Sequence, residues 1–165
     1  MVASVSYLDV HIARGELVEP RADRVTSLLL ELVVDGLHRN LDTFVVFPAL
    51  RILHTGDMFA WKDAPLCDRN NGGSCVEMPR TLQKAIAGIK DVDTIIPGHS
   101  PMQTPKDLQE YQRFTADLLS HSVDEMKSGK TAEDAAASFK VDKYPGYKNE
   151  RVKLAVQAVY DELKK

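Results

Sequence analysis

Two short segments, His54-Thr55-Gly56-Asp57 and Pro97-Gly98-His99-Ser100, each close an apolar, β-like run and carry an acidic residue or a histidine beside a glycine. Carboxylate and imidazole are donors that zinc accepts, and manganese or iron can use the same set. His38, just before the run Thr43-Phe44-Val45-Val46-Phe47, has a comparable setting. Residues at strand ends can converge on one edge of a sheet, where a rigid backbone holds ligands with the precision a metal needs. His38, Asp57 and His99 are therefore candidate metal ligands. Spacing alone leaves a second reading open, in which each is a satisfied polar or surface residue. His54 lies along a strand and reads as structural, and His121 falls mid-helix with no partner evident from sequence.

These residues need strands to carry them and helices to cover those strands. The β-branched and aromatic run 43–47 and the run Arg51-Ile52-Leu53-His54, separated by Pro48-Ala49-Leu50, predict two successive strands with a tight connection. Val92 to Ile96 predicts another. Val25 to Val34 is nearly continuous in apolar residues and reads as a strand, Val2 to Val10 is weakly strand-like, and Arg14 to Arg21 breaks the pattern as a loop. Leu82, Ile86 and Ile89 make a helical stripe within Met78 to Ile89. Thr104 with Pro105 and Asp107 opens a helix towards Lys127, with Leu108, Tyr111, Phe114 or Thr115, and Leu118 or Leu119 on its apolar face. Thr131 with Asp134 opens a short alanine-rich helix, and Arg151 to Leu163 reads as a terminal amphipathic helix.

The 165 residues, 44% hydrophobic and 27% charged, have an ordinary globular composition. A net charge of −3 gives no basic excess, so neither nucleic acid nor an anionic membrane is the expected partner. A small polar substrate or a protein fits better. The sequence has no run of about 18 apolar residues and no basic segment leading into an apolar core, so the chain as written reads as cytoplasmic. Cys67 and Cys75 flank the turn-rich Asp68 to Ser74 and lack the Cys-x-x-Cys spacing of zinc sites. Two free thiols are the expectation, with a small disulfide ring as the alternative for an exported chain.

The segments 42–48, His54-Thr55-Gly56-Asp57-Met58-Phe59, Asn70-Asn71-Gly72-Gly73-Ser74 and Ile95-Ile96-Pro97-Gly98-His99 resemble the C-terminal half of a metallo-β-lactamase-fold hydrolase. The resemblance runs from about Leu37 to the C-terminus. It implies an α/β fold, one mixed sheet with outer helices, forming half of an αββα sandwich. Residues 1–36 are then an atypical N-terminal segment and 37–165 the half-domain. Within 1–36, the stretch Arg14 to Arg21 resembles the translation of a dispersed bacterial repeat element. In the family, histidines of a Gly-His-Thr turn and a Gly-His turn and the aspartate of a Gly-Asp turn bind metal, which transfers to His38, His99 and Asp57. Here the first turn reads Leu37-His38-Arg39, without the glycine, and the family's His-x-His-x-Asp-His motif is absent before Leu37; Asp9-Val10-His11 is the only pairing near it.

The resemblance implies a zinc-dependent hydrolase, truncated, either retaining a reduced site or completed by another chain, and acting on an ester, lactone, thioester or amide. Asp57 would bridge two metals and orient the nucleophile as the catalytic residue, His38 would complete the first metal and His99 the second. The alternative is a catalytically inactive remnant serving as a scaffold or interaction module. Met58, Phe59 and Trp61 read as core before pocket wall. A half-sandwich would leave its inner sheet face bare, which implies a homo-oligomer formed through that face.

Overall fold

The computed structural model describes residues 10–13, 30–34 and 43–164. Five strands lie among them: β1 (Val10–Ala13), β2 (Leu30–Val34), β3 (Thr43–Phe47), β4 (Ile52–Gly56) and β5 (Thr94–Pro97). Four helices accompany them: α1 (Met78–Gly88), α2 (Pro105–Lys127), α3 (Ala132–Ser138) and α4 (Val152–Leu163). The strands form one mixed sheet in the order β1-β2-β3-β4-β5, antiparallel from β1 to β4 and parallel between β4 and β5. A parallel step requires a long crossover. Residues 57–93 provide it, and they include the turn with Asp57, the cysteine loop and α1.

Register sorts the side chains onto two faces. Val46 stands opposite Leu53, and Leu53 opposite Ile95; all three are buried. The adjacent row, Val45, His54 and Ile96, belongs to the other face and is half-buried or exposed. One core joins the first row to the helices through Leu82, Leu108, Tyr111, Phe114, Val156 and Tyr160. Phe114 is at its centre, with ring centroids 4.6 Å from Tyr147, 5.1 Å from Tyr144 and 5.7 Å from Phe139.

The expected N-cap of α2 is a full capping box. The Asp107 amide donates to Thr104 Oγ1 at 3.4 Å, while the Thr104 amide donates to Asp107 Oδ2 at 2.8 Å. Thr131 Oγ1 accepts from the Asp134 amide at 3.1 Å and starts α3. The stripe of α1 turns from its expected line: Met78, Thr81, Leu82 and Ala85 are buried, whereas Ile86 and Ile89 are half-buried and line a groove with Leu53, Ile95 and Leu108.

Two expectations are corrected. Cys67 and Cys75 form a disulfide, Cα atoms 5.6 Å apart, in place of two free thiols. The intervening residues turn back on themselves: Asp68 caps a 3-10 turn at Arg69–Asn71, Gly72 takes φ 90°, and the Gly73 amide donates to the Asp68 carbonyl at 2.8 Å. His121 does have partners, its Nε2 lying 2.8 Å from the Ala135 carbonyl and 3.1 Å from Ser138 Oγ, because α3 packs back against α2. His38, the loop Arg14 to Arg21 and the residues expected to be strand before Val10 lie outside the described residues. Among the described residues, no helix is long and apolar enough to cross a membrane.

Candidate functional site

The end of β4 is built so that Asp57 leaves the sheet sharply. Gly56 adopts φ 49°, ψ −141°, a conformation costly to any residue with a Cβ. Asp57 then opens a 3-10 turn, Asp57–Phe59, whose next two side chains, Met58 and Phe59, are buried. Phe59 stacks on Tyr111 with centroids 4.7 Å apart and fixes the turn to α2. Thr55, also buried, places Oγ1 3.3 Å from the Phe59 carbonyl.

The end of β5 docks directly on this turn. The Gly98 amide donates to the Gly56 carbonyl at 2.9 Å, and the His99 amide to the Ala60 carbonyl at 3.1 Å. A Cβ at position 98 would lie 2.2 Å from Asp57 Oδ1 and 2.9 Å from the Gly56 carbonyl oxygen, so only glycine allows the approach. The result places His99 Nε2 3.2 Å from Asp57 Oδ1. Both side chains are well exposed, 59% for His99 and 67% for Asp57, so the pair is open to an incoming ligand.

Behind the pair stands a layer that sequence reading did not assemble. The Trp61 ring lies 5.5 Å from the His99 ring, and the Arg151 guanidinium sits 3.8 Å from the Trp61 centroid. Arg151 Nη1 in turn reaches the buried Asp63 carboxylate at 3.3 Å. The sequence signal was a lone tryptophan four residues after Asp57, and its partner is 90 residues further on. Met58 and Phe59 are core, as expected; Trp61 is half-buried and lines a pocket of about 220 Å³ that also includes Asp57. His54 is structural, its Nδ1 2.8 Å from the Ile96 carbonyl.

No protein-family model matches the sequence, and no curated protein matches it. Solved structures do. The stereoselective inverting sec-alkylsulfatase Pisa1 from Pseudomonas sp. aligns with a TM-score of 0.63 at 18% identity, over 82% of this chain and 24% of that one. A double mutant of the same sulfatase gives 0.63 at 18% identity, over 93% of this chain and 27% of that one. TMB-1 aligns with a TM-score of 0.45 at 15% identity, over 63% of this chain and 48% of that one. The fold is metallo-β-lactamase-like. The chain spans about a quarter of the length of the alkylsulfatase structures.

The two turns bring together one carboxylate and one imidazole, both of them donor types that zinc accepts. Two donors on one tetrahedral zinc, each about 2.0–2.2 Å from the ion, stand about 3.4 Å apart, close to the 3.2 Å between Asp57 and His99. Number is where the set falls short. Among the described residues no group of three or more His, Cys, Asp or Glu is placed to hold a metal, and a catalytic zinc ordinarily takes three protein ligands.

Proposed function

We propose that this chain carries part of the metal centre of a zinc-dependent hydrolase, with His38, Asp57 and His99 as its ligands and Asp57 as the catalytic residue. The observation that carries this reading is the 3.2 Å approach of an exposed carboxylate and an exposed imidazole, made possible by two glycines. Bound zinc would supply a hydroxide near neutral pH and polarise a carbonyl oxygen. Asp57 would orient that nucleophile, and His99 is held in place by its amide bond to the Ala60 carbonyl and its ring contact with Trp61. The substrate class is a small molecule with an ester, lactone, thioester or amide bond.

The test is hydrolysis of a panel of such substrates, with and without a chelator. Turnover that a chelator abolishes and zinc restores, and that is lost in an Asp57→Ala, His99→Ala double variant, is the expected result. Turnover indifferent to chelator and to both substitutions would overturn the assignment.

The shortage of a third donor among the described residues favours a second reading, a scaffold that keeps the fold without the chemistry. It predicts no turnover and no zinc. A homo-oligomer formed through the open sheet face accompanies either reading, supported by the half-buried or exposed apolar residues Val45, Phe47, Ile52 and Ile96 on that face. Sedimentation of a strict monomer at high concentration would contradict it.

A further inference from the structure

Part of the wall of the cavity beside Asp57 is a covalent ring, and its two ends are anchored unequally. Cys67, Asp68, Gly73 and Ser74, from the two ends of the segment that the disulfide closes, line the cavity together with Asp57 and Trp61. The Ser74 end is tied to α4: the Ser74 hydroxyl donates to Glu162 and accepts from the Glu77 amide at 2.9 Å, and the Val76 amide reaches Glu162 at 3.4 Å. The Cys67 end has no such tie. Among the described residues, Leu66 and Cys67 make no hydrogen bond from their backbone to that of another residue, and Leu66 is 63% exposed. The bonds from the Gly72 amide to the Arg69 carbonyl and from the Gly73 amide to the Asp68 carbonyl stay inside the ring, and Arg69 adds one ion pair, to Asp161 at 3.8 Å. The disulfide thus joins a lightly held strip of the wall to a firmly held one. Its cysteines differ in access as well, Cys75 being 5% exposed and Cys67 half-buried.

We infer that the Cys67–Cys75 bridge is a thiol-exchange site, and that its reduction by a dithiol loosens the cavity wall beside Asp57. A thiolate of the dithiol attacks the sulfur of Cys67, the more accessible cysteine, and Cys75 leaves as a thiolate that takes up a proton. The second sulfur of the dithiol then displaces Cys67 from the mixed disulfide, so the protein gains two thiols and the dithiol is oxidised to a disulfide. Leu66 and Cys67 lose their covalent tie, while Glu162 still holds Ser74 and Val76. The fold survives the step, because a bridge over so short a ring is worth about 2–3 kcal/mol against the roughly 5–15 kcal/mol that holds an ordinary domain together. The inference rests on the hydrolase reading only in making the cavity part of a regulated site; the loosening itself requires neither zinc nor turnover.

Trp61 is the single tryptophan of the chain and is half-buried in the same cavity, so acrylamide quenching of its fluorescence reads the wall directly. Chelator-treated full-length protein is compared before and after dithiothreitol, with amide hydrogen exchange followed alongside. The expected result is two thiols per chain, quenching steeper by about twofold, and exchange of amides 66–74 faster by about tenfold or more, with α1, α2 and α4 still protected. A Cys67→Ser, Cys75→Ser variant should show the loosened state without dithiothreitol and ignore its addition. Glutathione, which carries one thiol, should leave its mixed disulfide on Cys67. A bridge that dithiothreitol reduces only in unfolded protein, reduction that leaves quenching and exchange unchanged, loss of protection throughout the helices, or a glutathione adduct on Cys75 would overturn the inference. Its failure is distinct from failure of the hydrolase reading: a wall that responds to dithiothreitol in a protein that takes up no zinc removes the hydrolase and keeps the switch, whereas chelator-sensitive turnover equal in the wild type and in the variant lacking both cysteines removes the switch alone.

Discussion

Asp63 and Asp57 are six residues apart and live in opposite environments. Asp63 is 1% exposed and saturated: its Oδ1 accepts from the Ala64 amide at 2.7 Å and the Arg151 amide at 3.4 Å, and its Oδ2 meets Arg151 Nη1 at 3.3 Å. Asp57 is 67% exposed, and its ion-pair partner among the described residues is His99. The first carboxylate is structural, tying the crossover to the start of α4. The second is solvent-exposed, and its ion pair contributes little to stability. An exposed ion pair is worth at most about 1 kcal/mol, so the elaborate backbone around Asp57 and His99 is not explained by stability alone.

The contrast breaks most visibly on the structural side. Phe114→Ala empties the centre of the aromatic cluster and should cost about 3–5 kcal/mol, and Arg151→Ala, which removes the counter-charge of a buried carboxylate, about 3 kcal/mol, both read by denaturant unfolding. Asp57→Ala and His99→Ala should each stay within about 0.5 kcal/mol. Reduction of the Cys67–Cys75 disulfide, which closes a short loop, should cost about 2–3 kcal/mol in the same assay. A loss near zero would show that the loop is held by its own turn.

Asp107 sharpens the comparison through pH. Burial pushes its carboxyl up, but Lys62 Nζ at 2.6 Å and the Thr104 donors outweigh burial and hold it down at about 2. A depressed carboxyl contributes stability above its unfolded value, and that stability is lost as the pH falls from about 4 towards about 2. The loss should amount to about 2 kcal/mol in the wild type and be largely absent in Asp107→Asn, measured by unfolding at each pH. Gly98→Ala connects the two regions. Its Cβ would press on Asp57 Oδ1 and the Gly56 carbonyl, costing about 1–3 kcal/mol and spreading the carboxylate–imidazole pair. Stability preserved together with an intact pair would contradict the packing described for this turn.

Local signals carried much of the fold. Thr104-Pro105-x-Asp107 and Thr131-x-x-Asp134 announce helix starts by chemistry within four residues, and both caps form as expected. The strands 43–47 and 52–56 announce themselves by β-branched and aromatic content and by their separation at Pro48-Ala49-Leu50. The meeting of Asp57 with His99 followed from two glycine turns at strand ends, because adjacent parallel strands end on the same side. What escaped was non-local. Arg151 on Trp61, and Ala135 at His121, depend on how helices pack, and no spacing rule encodes that. The disulfide is illegible for another reason: in a sequence only the redox compartment decides between two thiols and a bridge, while the Asp68-to-Gly73 turn that joins Cys67 to Cys75 is a matter of backbone geometry.

The most direct test of the account is the zinc content of the purified protein, by elemental analysis, beside the Asp57→Ala, His99→Ala double variant. The account predicts near-stoichiometric zinc in the wild type, absent from a double variant that remains folded. Zinc absent from both, or equal in both, would contradict a metal centre at the Asp57–His99 pair.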